Sequence, residues 1–149
     1  FEGVNENILK AAISKLSWPG RMEKLSEKNI YYDVAHNYDG IRALINTIKK
    51  IHPKRRIVGL FCIKAEKNIE LICDELKKDF IKVIICQDKE KYLLSVKALS
   101  EIFKKEKIKF LEGKSVKDGI RILTNSNIGE YVGLIFGSHY IAKEVYSEF

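Results

Sequence analysis

Apolar positions recur along this chain in two rhythms. In residues 6–16, ENILKAAISKL, the apolar side chains Ile8, Leu9, Ala12, Ile13 and Leu16 fall at the three- and four-residue intervals of one helix face. The run ends at Ser17-Trp18-Pro19-Gly20, where proline and glycine both break a helix, so this tetrad reads as a hinge or domain joint. Two strand-like runs follow, Met22–Ser26 and Ile30–Asp33. Beyond them the rhythms alternate. Helices are predicted over 39–51, 67–80, 91–106 and 115–125, and strands over 57–61, 82–86, 108–111 and 131–136. A final helix is predicted from Ser138 or His139 to Val145. Short apolar strands separated by helices of about 10–15 residues are the signature of βαβ units. The strands are almost continuously apolar, as in a parallel sheet covered on both faces, and the crossovers should be right-handed. The prediction is an α/β fold: a Rossmann-like, doubly wound, mostly parallel sheet of about six strands flanked by helices. The Met22–Ser26 strand is expected to pair antiparallel at one edge.

Such a fold directs attention to particular loops. In open α/β sheets ligands bind outside the carboxyl ends of the strands, near a topological switch point. The stretch YYDVAHNYDG, residues 31–40, places Asp33 at the end of a strand and His36 and Asn37 in the loop before the next helix, which is expected to begin near Asp39. These three side chains therefore lie on the binding edge. A second such place is Phe136-Gly137-Ser138-His139. Gly137 lets the backbone turn sharply after the last strand, and Ser138 or His139 would open the final helix. A helix amino end suits a carboxylate or phosphate, although a hydroxyl there also serves as a helix cap. The chain has no GxGxxG after its first strand and no GxxxxGK[ST] loop, so it lacks a phosphate cradle of its own.

Composition narrows the class. At 149 residues the chain is the size of one domain. The net charge of +7 gathers partly in Lys49, Lys50, Lys54, Arg55 and Arg56 and in Lys104, Lys105, Lys107 and Lys109. Acidic residues interleave with most of the remaining lysines, which reads as solvated helix faces and argues against a nucleic-acid surface. Cys62, Cys73 and Cys86 sit in apolar runs without a CxxC pair, so buried reduced thiols are expected, with no metal site, in a cytoplasmic protein. No apolar run approaches the length of a membrane span. The chain opens at Phe1 without Met or a signal peptide, and its first residues read as mid-element, so a piece of a longer protein is expected.

WPGRMEKL, then YYDVAHNYDGIRAL, and much later GSHYIAKEVY resemble the carboxy-terminal domain of the folylpolyglutamate synthase/dihydrofolate synthase family, within the Mur-ligase superfamily. The resemblance covers about residues 5–149 and is strongest over Trp18–Leu44. It implies that residues 1–20 are the tail of a preceding ATPase domain and its linker, and that 21–149 form the second domain. It implies an ATP-dependent ligase adding L-glutamate to a folate, to dihydropteroate, or to both, through an acyl phosphate. The family's ATP and Mg2+ are held mainly by the amino-terminal ATPase domain, which would be this chain's partner in a monomer. Arg21 would reach the nucleotide phosphates, and Asp33 would hold the ribose hydroxyls. His36 would face the interdomain cleft and act in catalysis by placing the incoming glutamate or the acyl phosphate. Asn37 would touch the adenine or fix the loop. Ser138 would bind the glutamate carboxylate.

The sequence departs from the family pattern in places. Tyr38 follows Asn37 where proline is usual, and Glu66-Lys67-Asn68 replaces an aspartate–lysine–aspartate run. A proline–arginine pair is missing around Gln87–Tyr92, and His139 stands where an aliphatic residue is usual. Two other readings stay open: a Mur-type ligase domain of cell-wall peptide synthesis, and a non-catalytic nucleotide-binding α/β domain. Even on the ligase reading, the isolated chain is expected to be inactive on its own.

Overall fold

The computed structural model describes Asn5 and residues 18–66, 68–126 and 130–149. The helix expected over 6–16 and Lys67 lie outside them. The described elements run β1 (Glu23–Ser26), β2 (Ile30–Asp33), α1 (Tyr38–Ile51), β3 (Ile57–Phe61), α2 (Ile69–Asp79), β4 (Phe80–Cys86), α3 (Val96–Lys105), β5 (Phe110–Gly113), α4 (Val116–Asn125), β6 (Val132–Phe136) and α5 (Ala142–Tyr146). One sheet holds all six strands in the order β1-β2-β6-β3-β4-β5. β1 pairs antiparallel with β2 at the edge, and every other pairing is parallel. The expected α/β architecture is the one observed. No helix among the described residues is long and apolar enough to cross a membrane.

Two apolar layers close the sheet, because successive strand side chains point to opposite faces. Tyr31, Phe61, Val83, Leu134 and Phe136 pack beneath Ile41, Leu44, Ile45 and Ile48 of α1, Ile72 and Leu76 of α2, and Leu99 and Phe103 of α3. On the other face Tyr32, Leu60, Ile84 and Ile135 meet Val116, Ile120 and Leu123 of α4, with Ile141 and Val145 at the last turn. The three cysteines are free and buried. Burial pushes the Cys73 thiol up to about 12.

Several element boundaries differ from the expected ones, three of them through a polar bond that periodicity does not reveal. α3 begins at Val96 rather than near residue 91, because Ser95 caps it by accepting from Ala98 N at 3.1 Å. The residues before it are instead folded around buried Asp88, which accepts from Tyr92 N and Leu93 N. β5 begins at Phe110 because Ile108 N still closes the end of α3 on Phe103 O. The last helix begins at Ala142, and Ser138 does not open it. Ser138 Oγ accepts from Tyr140 N two residues on, which makes a local turn in place of a helix cap.

This topology opens a crevice. β2 and β6 are parallel neighbours whose last residues, Asp33 and Phe136, are in register. The chain leaves β2 toward α1 on one face and leaves β6 toward α5 on the other. Two loops that start side by side therefore diverge, as at the switch point of other open α/β sheets.

Candidate functional site at the carboxyl edge of the sheet

The site begins with Asp33, the last residue of β2, only 7% exposed. A buried carboxylate must be satisfied, and here backbone does it. Ala35 N donates to Oδ1 at 2.7 Å and Met22 N to Oδ2 at 2.8 Å. A carboxylate offers about four lone-pair sites, so acceptor capacity remains. Arg21 Nη1 stands 4.0 Å from Oδ1, on a side chain that is 58% exposed.

Backbone bonds fasten the turn at Trp18–Arg21 to the sheet as well. Arg21 N donates to Trp18 O at 3.0 Å, closing the turn, and Val34 N donates to Gly20 O at 2.9 Å. Gly20 has φ +67, and a Cβ there would lie 2.8 Å from Val34 Cγ1, so glycine is required by conformation and by space. Met22 also takes a left-handed backbone, φ +46, which a side chain disfavours. Its bond to Asp33 holds it there. Glu23 Oε2 receives both Gly20 N at 2.8 Å and the Tyr146 hydroxyl at 2.6 Å, linking the turn to the last helix.

His36 and Asn37 divide their work. Asn37 is the N-cap of α1, its Oδ1 accepting from Gly40 N at 2.9 Å. Of the two roles left open for Asn37, fixing the loop is the one its contacts display. His36 is exposed, and its Nδ1 lies 3.1 Å from Val34 O. A carbonyl only accepts, so Nδ1 carries the proton in this contact, which leaves Nε2 as the acceptor of the neutral ring. Arg21, Asp33, His36, Asn37 and Thr47 line one cleft of about 400 Å³.

An adjoining cleft of about 300 Å³ is lined by His36, Lys64, Glu66, Ser138, His139 and Tyr140. His36 is common to both. Ser138 is 3% exposed, and its carbonyl accepts the Tyr32 hydroxyl at 2.9 Å. Burial, with Tyr146 and Asp33 nearby, pushes the Tyr32 phenol well above its ordinary value, so it stays a donor. Ser138 Oγ accepts from Tyr140 N and keeps its own proton to give. Gly137, at φ +107, makes this turn possible, since a Cβ there would sit 2.4 Å from Cys62 O. Lys64 Nζ donates to the Tyr140 hydroxyl at 3.0 Å and lies 4.5 Å from the ring centre.

The five candidate residues thus fall on one edge, four in the first cleft and Ser138 in the second. The expectation that Ser138 would draw on a helix amino end is corrected, because it lies in the turn before that helix. Sequence reasoning passed over Lys64, Tyr140 and Thr47. Lys64 stands just past the end of β3, and that position was the available signal. Among the described residues no group of three or more His, Cys, Asp or Glu side chains converges to hold a metal. A guanidinium, a part-used carboxylate and an acceptor imidazole around an open cleft do fit a nucleotide's phosphates and sugar.

The model of the family described as Mur ligase, glutamate ligase domain matches residues 20–139. The chain belongs to this family. This ligase domain is 27% identical over 135 residues to dihydrofolate synthase/folylpolyglutamate synthase of Bacillus subtilis, covering 83% of this chain and 31% of that protein. It is 32% identical over 85 residues to UDP-N-acetylmuramoyl-L-alanyl-D-glutamate--L-lysine ligase of Enterococcus faecalis, covering 55% of this chain and 16% of that protein. The Mycobacterium tuberculosis folylpolyglutamate synthase complexed with ADP and AMPPCP shares the fold, with TM-score 0.83 at 20% identity over 97% of this chain and 35% of that one. The ligase domain therefore spans less than a third of the curated relatives described here.

Proposed function

We propose that this glutamate ligase domain forms one wall of the active site of a longer ATP-dependent ligase, which adds L-glutamate to a folate, to dihydropteroate, or to both. In this reading residues 1–20 are the tail of the ATPase domain and its linker, and 21–149 are the second domain. The supporting observation is that a chain of this family gathers Arg21, Asp33 and His36 on one cleft with Ser138 on the next. ATP activates the substrate carboxylate as an acyl phosphate, and the glutamate amine displaces the phosphate. The chain's own groups bind and orient. The exposed Arg21 guanidinium reaches the phosphates, and the free lone pairs of Asp33 take ribose hydroxyls. His36 Nε2 faces the incoming amine, and the Ser138 hydroxyl donates to the glutamate carboxylate. Mg2+ is held by the companion domain.

The lysine ligase match supplies a second reading, a cell-wall peptide ligase. It aligns with only 55% of the chain, against 83% for the folate enzyme, and so ranks below it. The test uses the full-length parent protein, with ADP release measured against glutamate and against folate, dihydropteroate and muramoyl-peptide acceptors. Turnover with glutamate and a pterin-bearing acceptor, lost in His36→Ala, is the expected result. Turnover only with the muramoyl peptide would select the second reading. ATP hydrolysis by the 149-residue chain alone would overturn the division of labour.

A further inference from the structure

The sequence holds two basic clusters that read as solvated helix ends. The fold brings parts of both to one place. Arg56, just before β3, and Lys107 and Lys109, between α3 and β5, line a cleft of about 310 Å³ together with Lys77 and Lys82. The cleft lies at the amino ends of β3, β4 and β5, the opposite edge of the sheet from His36. No carboxylate lines it.

Helix-end electrostatics explain only part of this. Lys77 and Lys78 end α2, and Lys104 and Lys105 end α3, where cations offset the helix dipole. Lys77 is moreover neutralised by Asp74 and Glu106, at 3.1 and 2.8 Å. Lys82 lies on a strand and Lys109 in the segment leading to β5, so neither completes a helix. Lys107 holds φ +57 just past the end of α3, where glycine is the less strained choice. Arg56, Lys82, Lys107 and Lys109 make no ion pair among the described residues. The Arg56 guanidinium is nevertheless fixed, because Nε and Nη2 donate to the carbonyls of Asp79 and Phe80, each at 3.3 Å.

Four uncompensated cations on a small cleft, one of them pre-oriented, call for an anion of high charge density. Carboxylates carry one charge each on larger frames. Adjoining phosphates carry several in the space available, and arginine matches their geometry. We infer that this cleft is an anion site for a short phosphate chain, free or carried by a nucleotide. The inference does not rest on the ligase reading.

The experiment titrates inorganic tripolyphosphate into the 149-residue chain and follows backbone amide resonances by NMR. The expected result is saturable shifts at Arg56, Lys82 and Lys107–Lys109. The triple variant Lys82→Gln/Lys107→Gln/Lys109→Gln should bind about tenfold more weakly, since three charge contacts in an open cleft are each worth about a factor of two. Lys28→Gln, an exposed lysine outside both clefts, should leave this affinity unchanged. ATP in place of tripolyphosphate distinguishes the sources. Added shifts at Leu76, Phe80 and Ile108, which also line the cleft, would mark a nucleotide, and their absence the bare chain of phosphates. Shifts spread over lysines across the surface, equal binding by the triple variant, or shifts confined to the Arg21 cleft would each overturn the proposal. So would a duplex oligonucleotide that binds more tightly through a footprint reaching Lys54 and Lys104.

Discussion

Replacing Asp33 with alanine should reveal how far the candidate site is also a structural clasp. The carboxylate accepts from Met22 N and Ala35 N at 2.8 and 2.7 Å while almost fully buried. Hydrogen bonds to a charged group are worth about 1.5–3 kcal/mol each, and water can reach the vacated amides in part, so a loss of about 2–4 kcal/mol is expected. In a domain of this size each kcal/mol moves Tm by roughly 2–4 °C, giving a fall of roughly 5–15 °C. Asp33→Asn keeps one acceptor oxygen and should lose about half as much free energy. His36→Ala is the control, because its ring is exposed and makes one bond to a loop carbonyl, so its effect should stay within about 0.5 kcal/mol. Calorimetry or urea unfolding of the 149-residue chain measures all three. Hydrogen exchange adds a local readout: the Met22 and Ala35 amides should lose protection in Asp33→Ala before the strand amides do. If Asp33→Ala and His36→Ala melt together at the wild-type temperature, the carboxylate is not a clasp, and the account of the turn is wrong.

Gly137→Ala should destabilise by at least about 2 kcal/mol, because φ +107 and a Cβ 2.4 Å from Cys62 O admit no side chain; denaturant titration checks this, and an unchanged midpoint would contradict it. None of the three thiols should react with a disulfide reagent at mild alkaline pH in the native chain, since all three are buried, Cys73 is pushed up to about 12, and the hydrogen bond with Cys86, then burial, pushes Cys62 up as well. Denaturant should expose all three, and one fast native thiol would refute the packing. Burial, with Arg55 and Lys24 adding to it, lowers the His52 imidazole below its ordinary value of 6.5. The unfolded chain therefore takes up a proton first as pH falls, and stability present above 6.5 declines below it. His52→Gln should flatten that decline, as thermal melts between neutral and mildly acid pH would show.

The alternation of apolar runs made the strands legible, because a parallel sheet covered on both faces leaves little room for polar residues. Asp33, His36 and Asn37 were legible for a different reason: they follow one another at the end of β2 and in the loop after it, so their proximity needs no tertiary knowledge. The errors fall where a side chain captures one or two backbone amides. Asp88 folds the segment before α3 and Ser138 turns the chain before α5, and neither act leaves a periodic trace. Lys64 was missed because its place depends on strand order. Only the insertion of β6 between β2 and β3 sets the loop after β3 beside Ser138, and β6 arrives last in the chain. For the same reason the basic cleft could not be read locally, since Arg56 and Lys107 meet only once β3, β4 and β5 are laid side by side.

The carboxyl edge separates rigid parts from reaching parts. The backbone around Arg21 is fixed by bonds that leave its guanidinium out. Val34 N donates to Gly20 O, Gly20 N to Glu23, and Met22 N to Asp33. His36 likewise follows Ala35, which is tied to Asp33, while its ring stays exposed. Asp33 and Ser138, in contrast, are buried with some of their hydrogen-bonding capacity already spent on backbone. On the proposed function the site is closed by a second body, and such a site needs this division. Groups that must meet a ligand held elsewhere have to project without collapsing onto their own domain, and fixing the main chain limits the conformational entropy that each lost rotamer adds on closure. Groups that receive the ligand within this domain are better held in place beforehand. The clasp at Asp33 serves both ends, since the carboxylate that sets the wall of the cleft also anchors the turn from which Arg21 extends.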